Sequence, residues 1–113
     1  MATIDAATFE ELKATAGADF VRDLIDTFLD EAPRMLGDLR SALAANDAER
    51  FRRAAHSLKS NSNTFGALPL GTLARTLELG GIAAVREAGG EPLDTVAAEY
   101  DRVAKKLAEL KRA

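Results

Sequence analysis

The chain has no cysteine and no tryptophan, one histidine, one tyrosine and five phenylalanines among 113 residues. Without cysteine there is no disulfide framework, no thiol nucleophile and no thiolate zinc site. A single histidine excludes metal sites built on paired imidazoles and leaves none spare for an acid/base pair. Aliphatic β-branched residues are scarce too: four valines and three isoleucines stand against 23 alanines and 15 leucines. Alanine and leucine favour helices, whereas β-branched and aromatic residues favour strands. A β-sandwich or a parallel α/β sheet is therefore excluded. Long hydrophobic runs are also missing. The longest uncharged stretch, Ser60 to Ala74, has 15 residues and includes Ser, Asn, Thr, Gly and Pro, while a membrane-spanning helix takes about 20 apolar residues. The start, Met1-Ala2-Thr3-Ile4-Asp5, lacks the basic and apolar regions of a signal peptide, so a cytoplasmic protein is expected. A net charge of −3 leaves no broad basic footprint for nucleic acid.

What is present is enough for one domain over residues 1–113. At 47% hydrophobic and 29% charged, the chain can bury an aliphatic core. A first helix is predicted over Ala6–Ala16, capped by Asp5, with Ile4 and Phe9 placed as a hydrophobic staple. Gly17 ends it. A longer helix follows over Ala18–Ala45, with Phe20, Leu24, Phe28, Ala32, Met35, Leu39 and Leu43 at helical spacing. Pro33 falls inside this pattern, and the continuing stripe favours one kinked helix over two. Asn46-Asp47 breaks and recaps the chain. A third helix runs to about Phe65, with Phe51, Ala55, Leu58, Ser62 and Phe65 as its apolar stripe and Gly66 as its terminator. A fourth starts near Pro69 with Leu70, Leu73, Ala74 and Leu77, and Gly80-Gly81 weakens or ends it before a short helical stretch over Ile82–Ala88. After Gly89-Gly90, Pro92 opens the last helix, which carries Leu93, Val96, Ala97, Tyr100, Val103, Ala104, Leu107 and Leu110. Four amphipathic helices with short connections make an antiparallel up-down four-helix bundle, with the short first helix packed across one end.

The histidine is not part of that core. With Phe51 at zero on a helical wheel, the apolar stripe of the third helix stays within about 40°, and His56 falls at about 140°. Its competing reading is an ordinary surface histidine. Its neighbours argue otherwise: the exposed face reads Arg52, Arg53, His56, Lys59, Ser60 and Asn63, with Lys59 and Ser60 one turn beyond the ring. Three cations and short polar groups around one imidazole make a local anion site in an acidic protein. Positive charge disfavours the protonated ring and keeps a nitrogen free as nucleophile.

The string Ala54-Ala55-His56-Ser57-Leu58-Lys59-Ser60-Asn61-Ser62-Asn63-Thr64-Phe65-Gly66-Ala67 resembles the signature of histidine-containing phosphotransfer (HPt) domains of phosphorelays. That signature is H-x-L-K-G/S, followed by a small polar run and a Gly-Ala pair. His56, Leu58, Lys59, Gly66 and Ala67 match it, and Ser60 stands where many members carry Gly. The resemblance extends over nearly the whole chain, including Glu31-Ala32-Pro33 and the Asn46-Asp47 break. It implies the same four-helix bundle. It also implies that His56 accepts a phosphoryl group through Nε2 from a receiver-domain aspartate and passes it to a second receiver. Lys59 would then be a point charge beside the phosphoryl oxygens, and Ser60 a small residue that lets the partner approach. In several members an acidic residue or Gln 22 positions after the histidine hydrogen-bonds Nδ1. Glu78 stands at that distance, on the border of the buried stripe of its helix. Its competing reading is a solvated surface acid.

Other residues carry less. Arg52 and Arg53 read as solvated, with a secondary role in steering an acidic receiver pocket. Asn63 reads as surface, Phe51 and Phe65 as core. Lys105, Lys106, Lys111 and Arg112 suit a helix C-terminus. Asp23, Asp26, Asp30 and Glu31 are spaced as a solvated face rather than a metal site. No glycine-rich phosphate loop supports an autonomous kinase. No long heptad run demands a dimer, so a monomer is expected. No cofactor is expected; the Mg²⁺ used in such transfers would belong to the receiver. The expected partners are response-regulator receiver domains or a hybrid sensor kinase. The alternative is a non-phosphorylated helical adaptor that binds the same surfaces.

Overall fold

In the computed structural model, which describes residues 2–112, five helices follow one another and no strand occurs among the described residues. They are α1 (Ala6–Ala16), α2 (Ala18–Ala45), α3 (Ala48–Thr64), α4 (Leu68–Glu87) and α5 (Glu91–Arg112). Helix α2 packs on α3, α3 on α4, α4 on α5, and α5 back on α2, which closes the four-helix bundle. The molecule measures 41 × 24 × 20 Å. Its core is aliphatic, with Ile25, Leu39, Leu58, Leu70, Val96, Val103 and Leu107 almost fully buried. The aromatic part is small: Phe28 lies 5.5 Å from Phe65 and 5.9 Å from Tyr100, ring centre to ring centre.

The ends of the helices follow the predicted caps. The Asp5 carboxylate accepts from the backbone N–H of Thr8 at 3.0 Å and from its hydroxyl at 2.6 Å, and Ile4 and Phe9 are both buried. These bonds, the side-chain one first, hold the Asp5 carboxyl below its usual range. The Asp5 N–H donates to the Gly66 carbonyl at 2.8 Å, which lays α1 across the α3–α4 turn. Gly66 takes φ 80° there, and a Cβ would lie 2.8 Å from Thr8 Cβ, so both conformation and space require glycine. At the other end of the bundle, the Arg86 guanidinium donates to Asn46 Oδ1 at 2.9 Å and to the Leu43 carbonyl at 2.8 Å, tying α4 to the C-terminus of α2.

Two features of the helices differ in detail from the sequence reading or refine it. Helix α2 is continuous through Pro33, but its inner stripe at the N-terminal end is Val21, Ile25 and Phe28 rather than Phe20 and Leu24. Phe20 is 55% exposed. Phe20 and Val21 are adjacent, as are Leu24 and Ile25, so either register satisfies helical spacing. Phe9 of α1 and Leu110 of α5, which flank Val21 and Ile25, select the second. Helix α4 is two helical stretches that meet at a kink, as the Gly80-Gly81 pair predicts, with Gly81 in a non-helical conformation (φ 68°, ψ −168°). Only glycine adopts that geometry without strain. The kink turns the short stretch after Ile82 back onto the core, where Ile82 and Val85 are buried.

Candidate functional site

The C-terminal half of helix α3 is rich in Ser, Asn and Thr. Ser, Asn and Thr normally disfavour helix interiors because their side chains compete for backbone partners. Here that competition is turned inward on the helix: Asn61 Nδ2 donates to the Ser57 carbonyl at 2.8 Å, Ser62 Oγ to Leu58 at 2.6 Å, and Thr64 Oγ1 to Ser60 at 3.0 Å. Ser62 is fully buried under this arrangement. Small side chains let α4 lie close. Gly71 of α4 sits against the Asn63 amide, where any Cβ would collide with it. Asn63 is thus a surface residue with a packing role. Phe51, Ala55, Leu58, Ser62 and Phe65 all point inward, as the spacing predicts.

On the opposite face His56 stands half-exposed, at 55% of its side-chain surface. Its Nδ1 lies 2.7 Å from Glu78 Oε2. The other carboxylate oxygen, Oε1, accepts from Lys59 Nζ at 2.8 Å. Glu78 is only 13% exposed and Lys59 24%, so the acid is largely hidden between α3 and α4 and the imidazole stands above it. The Lys59 hydrogen bond first, and the His56 bond second, hold the Glu78 carboxyl below its usual range. An ionised carboxylate can only accept hydrogen bonds. Nδ1 must therefore carry a hydrogen and donate it in the bond to Glu78, and in the neutral ring Nε2 is left with its lone pair.

The structure brings His56, Lys59 and Glu78 into direct contact and leaves Ser60 exposed on the same face one turn from the ring. The surrounding cations are less free than the sequence reading of an anion site had them. Arg52 pairs with Glu49 through two hydrogen bonds, at 2.7 and 3.2 Å, and this pairing keeps the Glu49 carboxyl low. Arg53 Nε is 4.0 Å from the same carboxylate. The signal for this was in the sequence, since Glu49 precedes the two arginines by three and four positions. Between α2 and α3 lies an open depression of about 340 Å³ lined by Met35, Asp38, Arg50, Arg53, Ala54 and Ser57, which His56 does not line.

Elsewhere the charges read as structural. Asp23, Asp26, Asp30 and Glu31 are exposed; Asp30 pairs with Arg34, and Asp26 with Lys111 of α5. Among the described residues no cluster of acidic or histidine side chains could hold a metal ion, and no helix is long and apolar enough to cross a membrane.

The Hpt domain family model matches residues 23–113. Among solved structures, histidine-containing phosphotransfer protein B (HptB) from Pseudomonas aeruginosa PAO1 is similar, with a TM-score of 0.86 and 24% sequence identity. The match covers 97% of this chain and 95% of that one, and it is a likeness of fold. No curated protein sequence matches the chain.

Proposed function

The chain belongs to the Hpt domain family of histidine phosphotransfer carriers in phosphorelays, and we propose that His56 is its phosphoacceptor, oriented by Glu78 and assisted by Lys59 and Ser60. The observation that carries this reading is the hydrogen bond between His56 Nδ1 and a carboxylate held ionised by Lys59. It fixes the tautomer in which the exposed Nε2 is the nucleophile. His56 is also the single histidine of the chain.

The step needs few groups. The Nε2 lone pair forms the N–P bond as the P–O bond to a receiver aspartate breaks, its electron pair returning to the aspartate carboxylate. The Nδ1 proton stays between ring and Glu78, and the ring becomes an imidazolium. The reverse step, onto a second receiver, restores the neutral ring. Lys59 supplies positive charge where phosphoryl oxygens arrive. Ser60 keeps the approach to Nε2 clear for the receiver. Residues 1–113 act as one monomeric, cytoplasmic unit, exchanging phosphoryl groups with receiver domains or a hybrid kinase and without kinase activity of their own. The test is incubation with a phosphorylated receiver domain. Transfer of label to this chain, and from it to a second receiver, is expected. Stable binding without transfer would instead establish the docking-only adaptor.

A further inference from the structure

Between α4 and α5 a groove of about 370 Å³ opens to solvent. It lies away from the histidine: Thr76, which lines it, and Glu78, which holds His56, point about 160° apart around α4. Buried Leu77 and Val96 and half-buried Leu73 lie at its base, and the short side chains of Thr76, Ala88 and Thr95 border it. One end lies at the α4–α5 turn, where the Glu91 N–H donates to the Ala88 carbonyl at 3.4 Å and Glu91 lines the groove. The charge at this end is one-sided. Glu87 and Glu91 are exposed, and among the described residues neither forms an ion pair. The cations of the flanking segments are committed elsewhere. Arg86 reaches Asn46 and Leu43, Arg40 pairs with Asp94 at 3.5 Å, and Arg102 holds Glu99. Arg75 shares the face of Glu78 by helical spacing.

We propose that this groove is a second docking face, which takes a basic amphipathic helix of a partner protein and leaves the His56 face free. Two packed helices leave a furrow that the side-chain ridge of a third helix fills, and the small residues at its borders let that helix lie close. An aliphatic side chain of the partner covers Leu73, Leu77 and Val96. A lysine or arginine one turn further along the partner helix meets Glu87 and Glu91, which have no cation of their own. The same two carboxylates repel the acidic pocket of a receiver, as they would a nucleic-acid phosphate. The two faces thus select partners of opposite charge. A chain held by its α4–α5 side keeps its imidazole open, and the tether raises its effective concentration for a receiver that the same partner carries or recruits.

The test is an NMR titration of the isotope-labelled full chain with a capped, alanine-based helical peptide of about 15 residues. The peptide carries leucines on one face and lysines one turn away; a second peptide has glutamate in place of each lysine. The lysine peptide should give saturable shifts below about 1 mM, centred on Leu73, Thr76, Leu77, Thr95 and Val96. The amide signals of His56, Lys59 and Ser60 should stay in place. Thr76→Arg and Thr95→Arg, both at exposed positions and confirmed as folded by circular dichroism, should each weaken binding about tenfold, because they add bulk and like charge. Glu91→Lys should weaken it about fivefold and make the glutamate peptide the better ligand. Absence of saturable shifts, shifts centred on His56 or on the acidic face of α2, or an unchanged preference in Glu91→Lys would each overturn the proposal. So would a concentration-dependent dimer of the chain alone that Thr76→Arg abolishes in sedimentation velocity, since a second copy would then fill the groove. No step of this test depends on His56 being the phosphoacceptor.

Discussion

Two glutamates of this bundle are largely hidden from solvent, and they are used in different ways. Glu99 of α5 is buried at 7% exposure and accepts from Arg102 at 2.7 and 2.9 Å, one turn further along the same helix. Its needs are met by local sequence, and its partner is a cation that never changes charge. Glu78 of α4 reaches across to α3, and one of its two partners is a titratable ring that stands in solvent. Burial and an ion pair are common to both. What separates them is the convergence of two helices on an exposed imidazole. A hidden carboxylate thus marks a site only when what it holds is reactive and reachable.

Experiments can break this contrast at several depths. The largest effect belongs to the ring itself: His56→Gln should abolish phosphoryl acceptance and leave helical content unchanged by circular dichroism. Retained transfer would place the acceptor elsewhere. Next, Glu78→Ala should slow phosphorylation on the order of tenfold to a hundredfold, because the ring loses both its orientation and its tautomer. Glu99→Ala should leave the rate within error and lower stability by about 1 kcal/mol, measured by urea unfolding. Equal effects of the two substitutions on transfer would erase the distinction.

Acid unfolding sharpens it further. The carboxyls of Asp5, Glu49 and Glu78 titrate below their usual range in the folded protein. Their contribution is present above the unfolded-state value, about pH 4, and is lost as pH falls through the lowered folded-state values. The melting temperature should therefore fall steadily below about pH 4, and Glu78→Gln should flatten that fall; an unchanged slope would deny Glu78 its ionised state. The smallest effect is expected at Ser60. Ser60→Leu should weaken transfer from a receiver by several-fold while stability stays within about 0.5 kcal/mol and phosphorylation by phosphoramidate is preserved. A loss confined to stability would remove its role in partner approach.

Much of this molecule could be read from its residues. The caps at Asp5 and Asp47, the terminator Gly66 and the weak point at Gly80-Gly81 are local signals, and local signals survive into the fold. The spacing that took His56 off the core stripe belongs to α3 alone, so it also held. The N-terminal register of α2 did not, because Phe20 and Val21 are both apolar and the choice lies with α1 and α5, far away in sequence. The site divides along the same line. That Glu78 stands 22 positions from His56 is visible in the sequence, and the resemblance pointed to it. That its second oxygen holds Lys59 depends on how closely α4 lies against α3, which Gly71 and the small residues of α3 decide together.

The most direct measurement is to incubate wild-type protein and His56→Gln with phosphoramidate and map acid-labile, base-stable phosphate by mass spectrometry. One phosphate on His56 in the wild type, and none in His56→Gln, is the result predicted here. Phosphate on another residue, or none on a folded wild-type chain that a competent donor has met, would contradict it.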